Sequence, residues 1–158
     1  MVKEKKQEFT LRITRANKSE LIVILYDMVL EYLQDALKAY KEEDKKKYKS
    51  DIRNAQNCID ELLQSLKPGY EISSRLKSLY YFYKRELSTA AILEKEEIIL
   101  SVMDMIRELR NAYEKVAAQD NSAPIMENTQ TVYAGLTYGK DSLTVDLSDQ
   151  GGNRGFRI

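Results

Sequence analysis

The chain has 158 residues, of which 32% are charged; 25 basic and 25 acidic side chains cancel, and there is no histidine. That length makes one ordinary domain, able to bury a single core without disulfides or metal. The charge balance argues against a general nucleic-acid binder or a binder of anionic membrane surfaces, whose affinity would come from excess lysine and arginine.

Two prolines and six glycines are few, and five of the glycines lie beyond residue 130. The first 130 residues therefore hold almost no helix breakers, which points to an all-α fold. One cysteine forms no internal bridge, so nothing suggests an oxidising compartment. The opening Met1-Val2-Lys3-Glu4-Lys5-Lys6-Gln7-Glu8 is basic but leads into no apolar signal core. The longest aliphatic run, Leu21-Ile22-Val23-Ile24-Leu25, falls far short of the roughly 20 residues that span a bilayer. A soluble cytoplasmic protein, with no membrane insertion, is the expectation.

Residues 1–16 read as a polar, basic N-terminal arm with apolar positions at Phe9, Leu11 and Ile13. Asn17-Lys18-Ser19-Glu20 has the form of a capping box, so the first bundle helix is expected over about 18–42. Its apolar residues recur at 21, 25, 28 and 32, and again at 22, 26, 29, 33, 37 and 40, an arc wide enough for two or three neighbours. Asp44 is placed to cap a second helix over about 45–66, striped by Tyr48, Ile52, Ala55, Ile59, Leu62 and Leu66. Pro68-Gly69 ends it.

The third helix, about 71–92, carries Ile72, Leu76, Leu79, Tyr83, Leu87 and Ala90. No glycine or proline marks its end. One helix from 71 to 118 would be roughly 70 Å long at ~1.5 Å per residue, with nothing for its second half to pack on. The polar turn Glu94-Lys95-Glu96-Glu97 therefore predicts a break near 92–96, and a fourth helix over about 96–118 with Ile99, Val102, Ile106, Leu109, Tyr113 and Val116. Four such helices with short connections make an antiparallel four-helix bundle over 17–118. Residues 119–130 read as a linker. A C-terminal extension follows over 131–158, in which 131–138 and 142–147 have the pattern of two short strands, a β-hairpin.

Catalytic chemistry is missing from this pattern. A di-iron site in a helical bundle usually needs two Glu-x-x-His motifs, and there is no histidine. Cys58 has no base to activate it and lies beside Ala55, Ile59 and Leu62, as a small buried hydrophobe would. The carboxylates at Asp60-Glu61 and from Glu94 to Glu97 fall on helix surfaces and ends, and the lysines at 45, 46, 47 and 49 begin an exposed helix, where solvated charge is the plain explanation. No catalytic residue, metal site or cofactor is expected. The consecutive rings Tyr80, Tyr81, Phe82 and Tyr83 must point around most of a helix, so one or two of them belong on an outward or groove face.

Several segments carry a family resemblance over roughly residues 14–117. Asn17 to Leu21 followed by Leu25-Tyr26-Asp27, then Ala55-Gln56-Asn57-Cys58-Ile59-Asp60-Glu61-Leu62, Gly69-Tyr70-Glu71-Ile72, Leu79-Tyr80 and Tyr113 stand in an order and spacing similar to the FliS-type flagellin export chaperones. Tyr81 stands where the family has Asp, and Ala90-Ala91 where it has Ala-Asn. The resemblance implies a cytoplasmic chaperone that binds the disordered C-terminal region of flagellin, prevents premature polymerisation and keeps the subunit competent for export. Binding would be coupled folding, with amphipathic helical pieces laid into apolar grooves. No nucleotide or metal is implied, and release would come from competing contacts at the flagellar export machinery.

The resemblance, with more apolar surface than one core stripe uses, gives as groove candidates the exposed members of Ala55, Gln56, Ile59, Leu62, Leu63, Leu76, Leu79, Tyr80 and Tyr83. Some of these must be core, and the pattern does not separate the two sets. The resemblance also implies that the arm, with Phe9, Leu11 and Ile13, acts as a lid over the binding surface when the client is absent. The alternative is a helical-bundle adaptor or chaperone for another secretion or regulatory partner.

Overall fold

A computed structural model describes residues 1–126, and all regular structure among them is helical: α1 (Lys3–Arg15), α2 (Lys18–Lys41), α3 (Lys45–Ser65), α4 (Glu71–Leu93) and α5 (Glu96–Gln119). The hairpin expected over 131–147 lies outside the described residues. The described chain divides into two compact units, one of residues 19–120 with Met1, the other of residues 2–18 with residues 121–126.

In the first unit, one hydrophobic cluster draws on α2, α3, α4 and α5. Its centre includes Tyr26, Leu33, Tyr48, Ile52, Ile59, Leu62, Tyr80, Tyr83, Leu87, Ile99, Met103 and Ile106, all fully buried. Each aliphatic member contributes about 1.5–3 kcal/mol relative to exposure, which is why the 3.6-residue stripes could be read so directly. The stripes end sooner than their pattern suggested. Ile72 is 61% exposed and Val116 53%, so the buried face of α4 begins at Leu76 and that of α5 ends near Tyr113.

The turns follow local chemistry. Asp44 accepts from the Lys47 amide at 2.9 Å and caps α3. The chain leaves α3 at Leu66 and passes Pro68 to Gly69, whose φ of +92° is accessible to glycine at little cost. Between α4 and α5 only Glu94 and Lys95 intervene, and Glu94 takes the left-handed conformation (φ 53°) in place of a glycine. Lys45 pairs with Glu94 at 3.0 Å, tying the start of α3 to this turn. At the other end Ser19 donates to Asp120 at 2.5 Å, and Arg110 on α5 binds Asp27 on α2 at 2.7 Å.

In the second unit, most of the N-terminal arm is the helix α1. Phe9 and Ile13, one turn apart, are buried, whereas Leu11 is 51% exposed. Lys5 and Arg12 lie over the Phe9 ring at 5.6 and 5.3 Å. The Ile125 amide donates to the Ala16 carbonyl at 3.1 Å, so the chain returning after α5 is bound to the end of α1.

Candidate interaction surface

Helices α3 and α4 supply most of the motif residues, and they pack on each other through a short connection. The structure sorts the nine groove candidates by depth. Ala55, Ile59, Leu62, Leu76, Tyr80 and Tyr83 are buried members of the core cluster. Gln56, Leu63 and Leu79 are only partly covered, and Leu63 and Leu79 pack against the cluster from outside. Gln56 bridges the two helices, its Nε2 donating to the Lys84 carbonyl at 2.9 Å and to Ser88 Oγ at 2.8 Å. One turn along α3, Asp60 pairs with Lys84 at 2.5 Å. These bonds pin the α3–α4 seam, so whatever lies on it meets a rigid floor.

The four consecutive rings of α4 separate as helical geometry demands. Tyr80 and Tyr83 are 1% exposed, Phe82 is half-buried and Tyr81 is 47% exposed. Inside, the Tyr26 and Tyr80 hydroxyls bond to each other at 2.5 Å, and Tyr113 lies 5.7 Å from Tyr26 between ring centroids. Burial pushes Tyr26 far above the ordinary phenol value, with Tyr80 beside it adding to the effect. Tyr80 and Tyr83 are each pushed up to about 12, in both cases chiefly by burial. These phenols are neutral across physiological pH and act as structural hydrogen-bonding groups. Cys58 is a buried thiol in the same cluster.

Large apolar groups left in solvent gather on α4 and its flanks: Tyr70 (62% exposed) and Ile72 before and in its first turn, Tyr81 midway, and Ile92 (77%) and Leu93 at its end. Tyr81 is one of the four consecutive rings expected to include an outward member, and no motif marks the other four as surface residues. The signal that finds Tyr81 and Ile92 is their position on the side of α4 away from Tyr80, Tyr83 and Leu87. Among the described residues, no group of three or more histidine, cysteine or acidic side chains could hold a metal ion. No described helix is long and apolar enough to cross a membrane.

The arrangement defines a helical protein whose uncovered apolar groups suit contact with another chain. A family model described as flagellar protein FliS matches residues 1–120, and the chain belongs to that family. It is also similar to the flagellar secretion chaperone FliS of Bacillus subtilis (strain 168), with 25% identity over 103 residues, covering 65% of this chain and 77% of the relative.

Proposed function

We propose that this protein is a flagellar secretion chaperone of the bacterial cytoplasm that binds the C-terminal segment of flagellin, prevents its premature polymerisation and hands it to the export machinery. Membership of the FliS family carries the reading. The uncovered apolar groups along α4 support it, since a chaperone for amphipathic segments needs an apolar face that its own core leaves unused. The role is binding rather than catalysis. The reading of α2–α5 as an antiparallel four-helix bundle is supported by their common core and their short connections.

The client groove is assigned to the partly covered members of the motif set, Gln56, Leu63 and Leu79, with the six buried members shaping its floor. Flagellin segments folding onto it would lose ordering entropy and regain it through buried apolar area on the order of 1,000–3,000 Å². The lid role of Phe9, Leu11 and Ile13 rests on the resemblance, and helix α1 supports it with an apolar pair at Phe9 and Ile13 of the kind a groove accepts.

Titration with a peptide covering the C-terminal segment of the flagellin encoded in the same genome tests the assignment. Leu63→Ser and Leu79→Ser should weaken binding with little change in melting temperature, and removal of residues 1–13 should leave affinity equal or higher. A protein that binds the peptide equally well with both leucines replaced would remove the groove from this face.

A further inference from the structure

Helix α4 carries a second stripe that its core does not use. Tyr81, Arg85, Ser88 and Ile92 stand at i, i+4, i+7 and i+11, which at about 100° per residue places them within roughly 60° of one another. All four are exposed, Tyr81 by 47% and Ile92 by 77%. An open hollow of about 460 Å³ lies here, lined by Tyr81, Lys84, Arg85, Ser88 and Thr89.

Three of the polar side chains around the hollow are already engaged. Lys84 is neutralised by Asp60 at 2.5 Å, Ser88 Oγ accepts from Gln56, and Thr89 Oγ1 donates to the Arg85 carbonyl at 3.0 Å. The Arg85 guanidinium meets no carboxylate among the described residues. The stripe is therefore apolar at Tyr81, cationic at Arg85 and apolar again at Ile92, over about 17 Å at ~1.5 Å per residue.

A polyanion such as nucleic acid is poorly matched, because it needs a row of cations and here Asp60 cancels the neighbour. One forked cation between two apolar groups is matched by a helix that presents one carboxylate between two apolar residues. Resting on the client reading above, we infer that the outer stripe of α4 docks an amphipathic helical piece of the client, a carboxylate of which pairs with Arg85 while apolar residues about a turn and a half to either side meet Tyr81 and Ile92. This binding face differs from the groove at Gln56, Leu63 and Leu79 in offering a cation, and it sets the register of the bound helix, because charge pairing at one point allows few alternatives.

The experiment uses the full chain and the same C-terminal flagellin peptide, titrated at low and high salt. Arg85→Glu should weaken binding about tenfold or more at low salt and flatten the salt dependence, and Arg85→Gln should do the same less steeply. Ile92→Ser should weaken binding while the salt dependence stays. Both Arg85 variants should melt with the wild type, because the side chain is exposed and forms no ion pair within the described chain. A peptide with its acidic residues changed to lysine should bind Arg85→Glu better than wild type.

Equal binding of the peptide by wild type, Arg85→Glu and Arg85→Gln would overturn the inference and leave the client reading standing. No binding by the wild type would overturn both. A concentration-dependent dimer abolished by Ile92→Ser, with peptide affinity unchanged, would assign the stripe to a second copy of this chain and overturn it as well.

Discussion

Tyr80 and Tyr81 are neighbours in the chain, identical in chemistry and opposite in fate. The first is 1% exposed and shares a hydrogen bond with Tyr26; the second is 47% exposed and borders an open hollow. The same contrast runs along α4, with Leu76, Tyr83, Leu87 and Ala90 inside and Arg85, Ser88 and Ile92 outside. A rotation of about 100° separates a residue that holds the fold from one free to serve a partner. On the proposed reading, the core and the outer docking stripe use different positions of the same helix, and substitutions should separate the two.

The sharpest break in that contrast is Leu87→Asp against Tyr81→Asp. Leu87 is fully buried, so an unpaired carboxylate there should cost about 4 kcal/mol or more and abolish the cooperative melt seen by circular dichroism. At Tyr81 the same change should stay within about 0.5 kcal/mol.

Alkaline titration gives a graded effect from the covered phenols of α2, α3 and α4. The unfolded chain gives up phenolic protons near pH 10, whereas Tyr32, Tyr48, Tyr80 and Tyr83 hold theirs to about 12. Folding keeps the protons on, so stability from these groups is fully present below pH 10 and drains away as the pH rises through about 12. Urea midpoints should be level from pH 7 to 9.5 and fall steeply above 10. A midpoint that rises in that window would contradict the burial of these phenols.

A smaller and more local effect is expected at the hydroxyl pair. Tyr26→Phe or Tyr80→Phe alone should each cost about 1–3 kcal/mol by orphaning a buried partner. The double substitution should cost less than the sum, with a coupling of about 1 kcal/mol or more in a double-mutant cycle.

Much of this organisation was legible in the chain. The apolar stripes gave α2 to α5 within a few residues at their ends, Asp44 announced a cap and Pro68-Gly69 a stop, because each of these is a local event. The break between α4 and α5 was placed from helix length and a polar turn, and Glu94 shows why no breaker residue marks it: a non-glycine residue takes the left-handed position. Helix α1 is the element that the apolar pattern does not reveal, because Phe9, Leu11 and Ile13 also satisfy a period of two. Glu4, Lys5, Lys6, Gln7 and Glu8, good helix formers without a glycine or proline among them, were the overlooked signal.

The site was less legible than the fold. Motif residues such as Ile59 and Tyr83 share their pattern with any core residue, and depth depends on neighbours that no local pattern records. Arg85 and Ile92 had no motif at all. Their position relative to a known inner face is what marks them, and that face had to be seen first.

The tyrosines of the core also make the protein its own spectroscopic gauge. The full sequence has no tryptophan, and the Tyr26 ring lies 6.4 Å from Tyr80 and 5.7 Å from Tyr113, with Tyr80 a further 6.5 Å from Tyr83. Rings held this close in fixed orientations couple their transitions, as do Tyr40 and Tyr48 at 5.7 Å, so the near-ultraviolet dichroism of the folded chain should come chiefly from such packed phenols and vanish when packing is lost even if the helices persist. Client docking on the outer face of α4 would leave that band in place and perturb only the absorption of Tyr81, so one label-free spectrum reads the two faces separately.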